Sequence, residues 1–228
     1  RREPERLREY GVVPIRDPAL DEIVAWPREN LADEAAVVRA IDEHVAGAAT
    51  RDEFSGVVLV VHEDRELYRK AVGLADKSWS APNTLDTRFN LGSMNKMFTA
   101  VAILQLVQEG KLRLASTLAE VLPAYPDAAA AKKITIEHLL THTAGLGMLF
   151  DRPGFDRRKR YRTHADYLPL FATKPLLFEP GTSSAYSNEG FVVLGCVIEE
   201  LTKKSYFDVV RERVFAPAFG MAPPFEDQ

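Results

Sequence analysis

The sequence predicts an α+β fold whose strands come early in the chain and whose helices dominate the rest. A β-branched run at residues 56–61 is followed by a short turn and a second segment at 66–73, which is typical of a β-hairpin. From residue 97 onward the pattern is mostly that of helices and loops. The 228 residues are 46% hydrophobic and 27% charged, a composition typical of a globular protein with one large domain or two small ones.

The first 80 residues are predicted to hold an arm, a helix and the hairpin. The arm, residues 1–30, is rich in charge and carries four prolines, so we expect an irregular structure. Residues 31–49 place apolar side chains at helical spacing. We therefore assign 31–80 to the N-terminal part of an α/β region, with the hairpin turn at 62–65.

Residues 81–228 are predicted to form a mainly helical region. Its first helix, 97–108, is apolar nearly all the way round, so we expect most of its faces to be buried. Further helices are expected at 118–122, after Thr135, at 189–201, and at 206–215 with Ser205 as the N-cap.

Charge and composition argue against several function classes. The formal net charge of −4 is too small to favour nucleic acid or an anionic membrane as a partner, and no apolar run is long enough to span a bilayer. The basic cluster at 151–162 lacks a stripe of aromatic side chains to stack on bases, so we interpret it as a solvated loop. The single cysteine, Cys196, lies in an apolar run and is expected in the core.

A Ser-x-x-Lys pattern opens the first helix of the helical region. Ser93 and Lys96 are three residues apart, so on a helix the hydroxyl and the amine lie on one face. Serine is a weak nucleophile that needs a neighbour to take its proton, and a lysine in an apolar setting is able to lose its charge and become that neighbour. The alternative is that Ser93 is an ordinary N-cap. We expect Gly92 to permit a close backbone approach.

A second pair of candidates, Tyr186 and Asn188, precedes the helix predicted at 189–201. A phenol acts as a general acid or base when a nearby ammonium lowers its pKa. The amide is able to hydrogen-bond a substrate carbonyl or to hold the lysine. The alternative is structural, with the tyrosine ring buried and the asparagine capping the helix, and the motif alone favours that alternative.

The motifs together favour a catalytic interpretation, because they come in the order found in one family. The chain resembles the class C β-lactamase-like serine hydrolases, a superfamily that includes class C β-lactamases, D-amino-acid-specific carboxypeptidases and peptidases, and esterases. The resemblance runs from about residue 54 to 221 and rests on Phe-Asn-Leu-Gly-Ser-Met-Asn-Lys at 89–96, Leu-Leu-Thr-His-Thr-Ala-Gly-Leu at 139–146, Pro-Gly at 180–181 and Tyr-Ser-Asn at 186–188. It implies a β-lactamase/transpeptidase-like fold, with a helical region beside an antiparallel sheet.

The resemblance also implies a role for each candidate. Ser93 would be the acylated nucleophile, and Lys96 would accept its proton or hold the local charge. Tyr186 would be the general base in acylation and would protonate the leaving group, while Asn188 would orient the lysine and the substrate amide. His142 is expected to be structural and to pack beneath the site, with a Ser-His-Asp triad as the less favoured alternative. The resemblance implies no cofactor, and the five histidines show no metal-ligand spacing.

The family's third motif, Lys-Thr-Gly or His-x-Gly, has no counterpart after Asn188. In the family it lies on a strand that binds the substrate and supplies the second oxyanion N–H. We therefore expect this chain to carry only the N-terminal hairpin of the family's sheet. We hypothesise that the missing strands come from a complementary C-terminal polypeptide, a swapped protomer, or a part of the gene product absent from these 228 residues.

The expected function is a serine hydrolase that works through an acyl-enzyme on a small-molecule or peptide substrate. The candidate substrates are a β-lactam, a D-amino-acid peptide and a short ester. The alternative is a catalytically impaired fragment, or a binding or scaffold protein of the same family. The resemblance favours a periplasmic or secreted location, although no signal peptide is visible.

Overall fold

The computed structural model describes residues 33–147 and 160–219, and the chain divides into two compact units between Asn90 and Leu91. The described part of the first unit is residues 33–90, and it holds the strands. The described part of the second is 91–147 and 160–219, and it holds helices and loops. This segregation confirms the predicted α+β class. The predicted arm at 1–30 and most of the basic loop at 151–162 lie outside the described residues.

The described part of the first unit consists of one helix and two short antiparallel sheets. Its elements are α1 (Glu34–Thr50), β1 (Gly56–His62), β2 (Arg65–Val72), β3 (Leu74–Asp76) and β4 (Ala81–Pro82). Strand β1 pairs with β2, and β3 pairs with β4. The predicted hairpin is therefore confirmed, but the sheet content is larger than the prediction. The second pair is missing from the prediction because strands of two and three residues are too short to produce a periodic pattern.

The turn of the hairpin is tighter than the sequence suggested. His62 lies opposite Arg65, so the turn consists of Glu63 and Asp64 alone. Both have positive φ, +48° and +63°, which is the conformation of the two-residue turns that match the twist of a hairpin.

Helix α1 is tied to β2 by polar contacts. Asp42 accepts hydrogen bonds from the Tyr68 hydroxyl at 2.9 Å and from Lys70 Nζ at 2.5 Å. Burial, together with the adjoining Asp42 carboxylate, raises the pKa of Tyr68 to about 12. The phenol therefore stays protonated and keeps donating to the helix at neutral pH.

The second unit is a set of helices joined by loops. A 3-10 turn (Gly92–Asn95) leads into α2 (Lys96–Gln108). The elements that follow are α3 (Leu118–Val121), α4 (Ala128–Lys133), α5 (Ile136–Leu140), a second 3-10 turn (His164–Tyr167), α6 (Leu168–Phe171), α7 (Asn188–Thr202), α8 (Tyr206–Val210), a π-helical turn (Arg211–Phe215) and α9 (Ala216–Phe219). The helices predicted from the sequence are present, and the prediction lacks α4 and α6, which span six and four residues.

The core of this unit lies around α7, which packs against α2 and α5. Ile103 and Leu106 of α2, Leu139 of α5, and Leu194 and Ile198 of α7 are fully buried. Burying an aliphatic side chain of this size contributes about 1.5–3 kcal/mol. This packing fixes the first turns of α2 and α7 beside each other, and the candidate residues lie in those turns or directly before them.

Helix α2 is buried on most of its faces, as its composition predicted, but one face is exposed. Met97, Val101 and Leu104 are 40–48% exposed and lie on that face at helical spacing, whereas the other residues up to Val107 are buried or half-buried. The apolar composition of a helix does not specify how many of its faces are covered by other elements, and the described residues cover only part of this one.

Cys196 is a core residue, as predicted. It lies on α7 and is 5% exposed. Burial, with a smaller effect from the Glu199 carboxylate, raises the pKa of the thiol to about 12. No helix among the described residues is both long and apolar enough to cross a membrane.

Two glycines on α7 offer a matched test of how tightly this helix is packed. A Cβ on Gly195 would lie 2.2 Å from His164 Cδ2, whereas a Cβ on Gly190 would come no closer than 3.5 Å to any neighbour. We expect Gly195→Ala to destabilise the protein by about 1–2 kcal/mol, because overpacking outweighs the gain of about 1 kcal/mol in helix propensity. Gly190→Ala should be neutral or stabilising. Thermal unfolding followed by circular dichroism measures both, and equal melting temperatures for the two variants would contradict the prediction.

Candidate active site

Ser93 lies within the 3-10 turn that precedes α2, not at the N-cap of the helix. Neither that turn nor α2 has a capping hydrogen bond from a side chain, so the structural alternative for Ser93 is wrong. Gly92 has φ +54°, a conformation that favours glycine. A Cβ at this position would have nothing within 4 Å. Among the described residues no neighbour therefore requires the absence of a Cβ, and the backbone conformation explains the glycine.

Lys96 contacts each of the other three candidate residues. It is the first residue of α2, and its half-buried side chain reaches three oxygens. Its Nζ donates to Ser93 Oγ at 3.2 Å, to Tyr186 Oη at 2.6 Å and to Asn188 Oδ1 at 2.6 Å. An ammonium group has three N–H donors, so all three are engaged. The four residues that the sequence singled out thus meet at one point.

Ser93 and Tyr186 are also joined directly. Ser93 Oγ lies 2.5 Å from Tyr186 Oη, so the two hydroxyl groups are able to exchange a proton without an intervening group. Both side chains are exposed to solvent, Tyr186 by 38%. A substrate carbonyl therefore has access to Ser93.

The structural alternative for the Tyr-x-Asn motif is also wrong. Tyr186 is not buried, and Asn188 does not cap α7. The N-cap is Ser187, whose hydroxyl accepts the Gly190 N–H at 3.1 Å. Asn188 is the first residue of the helix and directs its side-chain oxygen to Lys96.

The electrostatics of the site favour an ionised phenol. Burial acts to raise the pKa of Tyr186, but the hydrogen bonds from Lys96 and Ser93 and the charge of Lys96 outweigh it, so the pKa lies below its ordinary value. Lys96 Nζ also lies 4.8 Å from the Tyr186 ring centroid and 5.6 Å from that of Phe191, within the range of cation–π contacts. Among the described residues no carboxylate forms an ion pair with Lys96, so its charge acts on the phenol and on any incoming acyl group.

Ser187 and Phe191 are site residues that the sequence analysis missed. The buried Ser187 hydroxyl donates to the Gly147 carbonyl at 2.9 Å while it caps α7, so it anchors the loop that presents Tyr186. A serine at the start of a helix is a capping signal, but the helix was predicted to begin at 189, so that signal was assigned to Asn188. Nothing in the sequence pattern separates Phe191 from the other apolar residues of α7.

His142 packs beneath the site, as expected. Its ring centroid lies 4.7 Å from that of Tyr186, and its Nδ1 is hydrogen-bonded to the Ser187 N–H. Within the described residues it has no hydrogen bond to Ser93, so the arrangement does not match a Ser-His-Asp triad. The described residues also contain no group of three or more His, Cys, Asp or Glu side chains that could hold a metal ion.

The sequence as a whole matches the family that the motifs suggested. A family model for beta-lactamases matches residues 36–225. The chain belongs to the beta-lactamase family. The match includes both compact units and all four of the residues that meet at Lys96.

Relatives within the beta-lactamase family carry several names. The chain is 33% identical over 170 residues to penicillin-binding protein 4 of Amycolatopsis lactamdurans, covering 74% of this chain and 44% of that protein. It is 35% identical over 184 residues to esterase EstB of Burkholderia gladioli, covering 75% and 47%. It is 32% identical over 186 residues to a D-aminopeptidase of Brucella anthropi, covering 80% and 34%. The chain thus spans less than half the length of these curated relatives.

A solved structure confirms the fold. The crystal structure of a penicillin-binding protein from Bacillus halodurans superposes with a TM-score of 0.65 at 33% identity, over 79% of this chain and 60% of that one. The β-lactamase/transpeptidase-like fold implied by the motifs is therefore correct for this member of the beta-lactamase family.

Proposed function

We propose that this chain carries the acylation centre of a serine hydrolase. The observation that supports the proposal is the contact of Lys96 Nζ with Ser93 Oγ, Tyr186 Oη and Asn188 Oδ1. An acyl-enzyme route requires a nucleophile and a group that takes its proton. Here a cation lies between the two. Similarity to proteins named as an esterase and a D-aminopeptidase supports hydrolysis of an ester or an amide.

In the proposed acylation, Tyr186 is the base and Lys96 holds the charge. The three oxygen contacts of Lys96 Nζ match the three N–H donors of an ammonium group, and an ammonium group has no lone pair with which to take a proton. The Ser93 proton passes to the Tyr186 phenolate oxygen as Oγ bonds to the substrate carbonyl carbon. The carbonyl oxygen then takes up the electron pair of the broken π bond and becomes an oxyanion.

The remaining steps return the site to its starting state. The carbonyl re-forms, the bond to the leaving nitrogen or oxygen breaks, and Tyr186 gives its proton to that atom. A water molecule then attacks the Ser93 ester and gives a proton to Tyr186. The acid leaves as Ser93 Oγ takes that proton back. Asn188, through Oδ1, keeps the lysine in place during both halves of the cycle.

The proposal assigns two donors to the oxyanion. One is the Ser93 N–H, which lies in the first turn of a helical segment, where N–H groups lack intrahelical acceptors. Losing one oxyanion donor costs about 10²–10³ in rate. We propose that the second donor comes from a strand that the described residues do not include, supplied by a further part of the gene product, a complementary C-terminal polypeptide or a swapped protomer.

The proposed substrates are small acyl compounds, namely a β-lactam, a D-amino-acid peptide or a short ester. The exposure of Ser93 and Tyr186 supports a substrate that approaches from solvent. The names of the relatives do not rank these three classes, so the assays must include all of them.

Covalent labelling tests the proposal directly. The full-length protein is incubated with a fluorophosphonate or a fluorescent penicillin, and intact mass and peptide mapping then locate the adduct. We expect one adduct, on Ser93, together with turnover of a chromogenic cephalosporin, a D-amino-acid anilide or a p-nitrophenyl ester. Neither adduct nor turnover would support the alternative, a binding or scaffold protein.

A further inference from the structure

His142 contacts both neighbours of Tyr186. Its carbonyl accepts the Ala185 N–H at 3.0 Å, and its ring nitrogen Nδ1 accepts the Ser187 N–H at 3.1 Å. Its ring also lies against the Tyr186 ring, with the centroids 4.7 Å apart. One residue therefore holds the backbone on either side of the phenol and supports the phenol ring itself.

The backbone of His142 has a conformation in which a histidine is unusual. Its φ is +60°, and it follows the C-terminal end of α5. There the Thr143 N–H bonds back to the His138 carbonyl at 2.8 Å, a helix ending at which glycine is the usual residue and asparagine the next. A histidine is strained in this conformation. The ring contacts with Tyr186 and Ser187 supply a reason for its presence.

The hydrogen bond to Ser187 also determines the protonation state of the ring. A nitrogen that accepts an N–H bond carries a lone pair, so His142 is neutral and its proton resides on Nε2. Burial, and to a smaller degree the charge of Lys96, lowers the pKa of His142 below its ordinary value. The groups facing the ring are Lys96 from α2, Tyr186 from the loop before α7, and the apolar Phe191 from α7.

We propose that neutral His142 is a positioning residue that holds Tyr186 beside Ser93 through its Nδ1 bond to the Ser187 N–H. Protonation of Nδ1 places its N–H opposite the Ser187 N–H, and two donors do not form a hydrogen bond. The loop then loses the contact that holds it beside the phenol. This inference rests on the proposed function, because it assigns Tyr186 the proton transfer. It is an additional role for a residue outside the group that meets at Lys96.

Two substitutions separate the ring nitrogen from the backbone strain. Asparagine and glycine both tolerate φ +60°, but only asparagine offers an acceptor in the place of Nδ1. We expect kcat of His142→Asn to stay within about tenfold of the wild type, and that of His142→Gly to fall about 10²-fold, since small misplacements of a catalytic group have effects of this size. KM should change little in either variant. Equal kcat values for the two variants would overturn the proposal.

The pH profile of the wild-type protein supplies a second test. Loss of the Tyr186 phenolate makes log kcat/KM for a p-nitrophenyl ester fall with a slope of one as the pH decreases. Protonation of His142 should steepen this to a slope of two below pH 6.5, and His142→Asn should keep the slope of one. A wild-type slope that stays at one, with circular dichroism showing a folded protein, would overturn the proposal.

The two proposals fail in different ways. If turnover and the Ser93 adduct are observed but do not depend on His142, only the positioning role is wrong. If neither turnover nor the Ser93 adduct is observed, the proposed function is wrong. Nitrogen-15 NMR of the histidine ring tests the positioning role without activity, because the proposal requires the Nε2–H tautomer at neutral pH and a spectrum of the Nδ1–H tautomer would overturn it.

Discussion

Replacing Ser93 by alanine should reduce kcat by a factor on the order of 10⁴ to 10⁶, the loss found when a nucleophile is removed from a cooperating catalytic group. The variant keeps Lys96, Tyr186 and Asn188 but has no oxygen that becomes acylated. The fluorophosphonate adduct should disappear with the activity. The loss should be chemical, since Ser93 is exposed and caps no helix, so the melting temperature should change little.

The control for this variant is Ser78→Ala. Ser78 is an exposed serine of the first unit, and its backbone N–H, not its side chain, bonds to Asp76. Its substitution should leave turnover and labelling unchanged. Turnover by Ser93→Ala above about a tenth of the wild-type rate would mean that another group attacks the substrate, and the proposed mechanism would then be wrong.

The second large effect is expected from Lys96→Met. Methionine retains much of the side-chain volume but has no N–H donors, so Ser93, Tyr186 and Asn188 all lose their shared partner. We expect kcat/KM to fall by about 10²–10⁴, the range for loss of proton-transfer assistance. Lys132→Met, at an exposed lysine on α4, is the matched control and should have no effect.

Lys96→Met should also change the pH dependence. In the proposed mechanism Tyr186 acts as the phenolate, so activity is present above its pKa and is lost as the pH falls through that value. Burial raises this pKa and Lys96 lowers it. Removing the lysine should therefore move the acidic limb of kcat/KM to higher pH. A limb at the same pH in both proteins would show that Tyr186 is not the titrating base, whatever the size of the rate loss.

The sequence was sufficient to find the four polar groups because each carries a local signal. Ser93 and Lys96 have the spacing of one helical turn, and Tyr186 and Asn188 stand directly before an apolar helix. The resemblance to one family then favoured a shared site over a chance coincidence of motifs. The hairpin was predictable for a similar reason, since the run at 56–61 is β-branched and long enough to show its pattern.

The remaining features depend on contacts between distant parts of the chain. The exposed face of α2 depends on which elements pack beside it, and composition does not encode that. The role of His142 depends on its alignment with Ser187, 45 residues away. Its positive φ follows from the way α5 ends. A local pattern records that a histidine is present, but not which of its two nitrogens faces a donor.

The 3-10 turn at Gly92–Asn95 has a consequence for the angle between the nucleophile and the lysine. In a regular α-helix, residues three apart are separated by about 300° of rotation, so their side chains diverge by about 60°. In a 3-10 turn three residues complete one revolution, and side chains at that spacing are eclipsed. Ser93 and Lys96 span this tighter winding. The winding of this turn therefore sets the angle between the two side chains: rewinding Gly92–Asn95 as an α-helix would rotate the Ser93 hydroxyl by about 60° relative to the Lys96 amine.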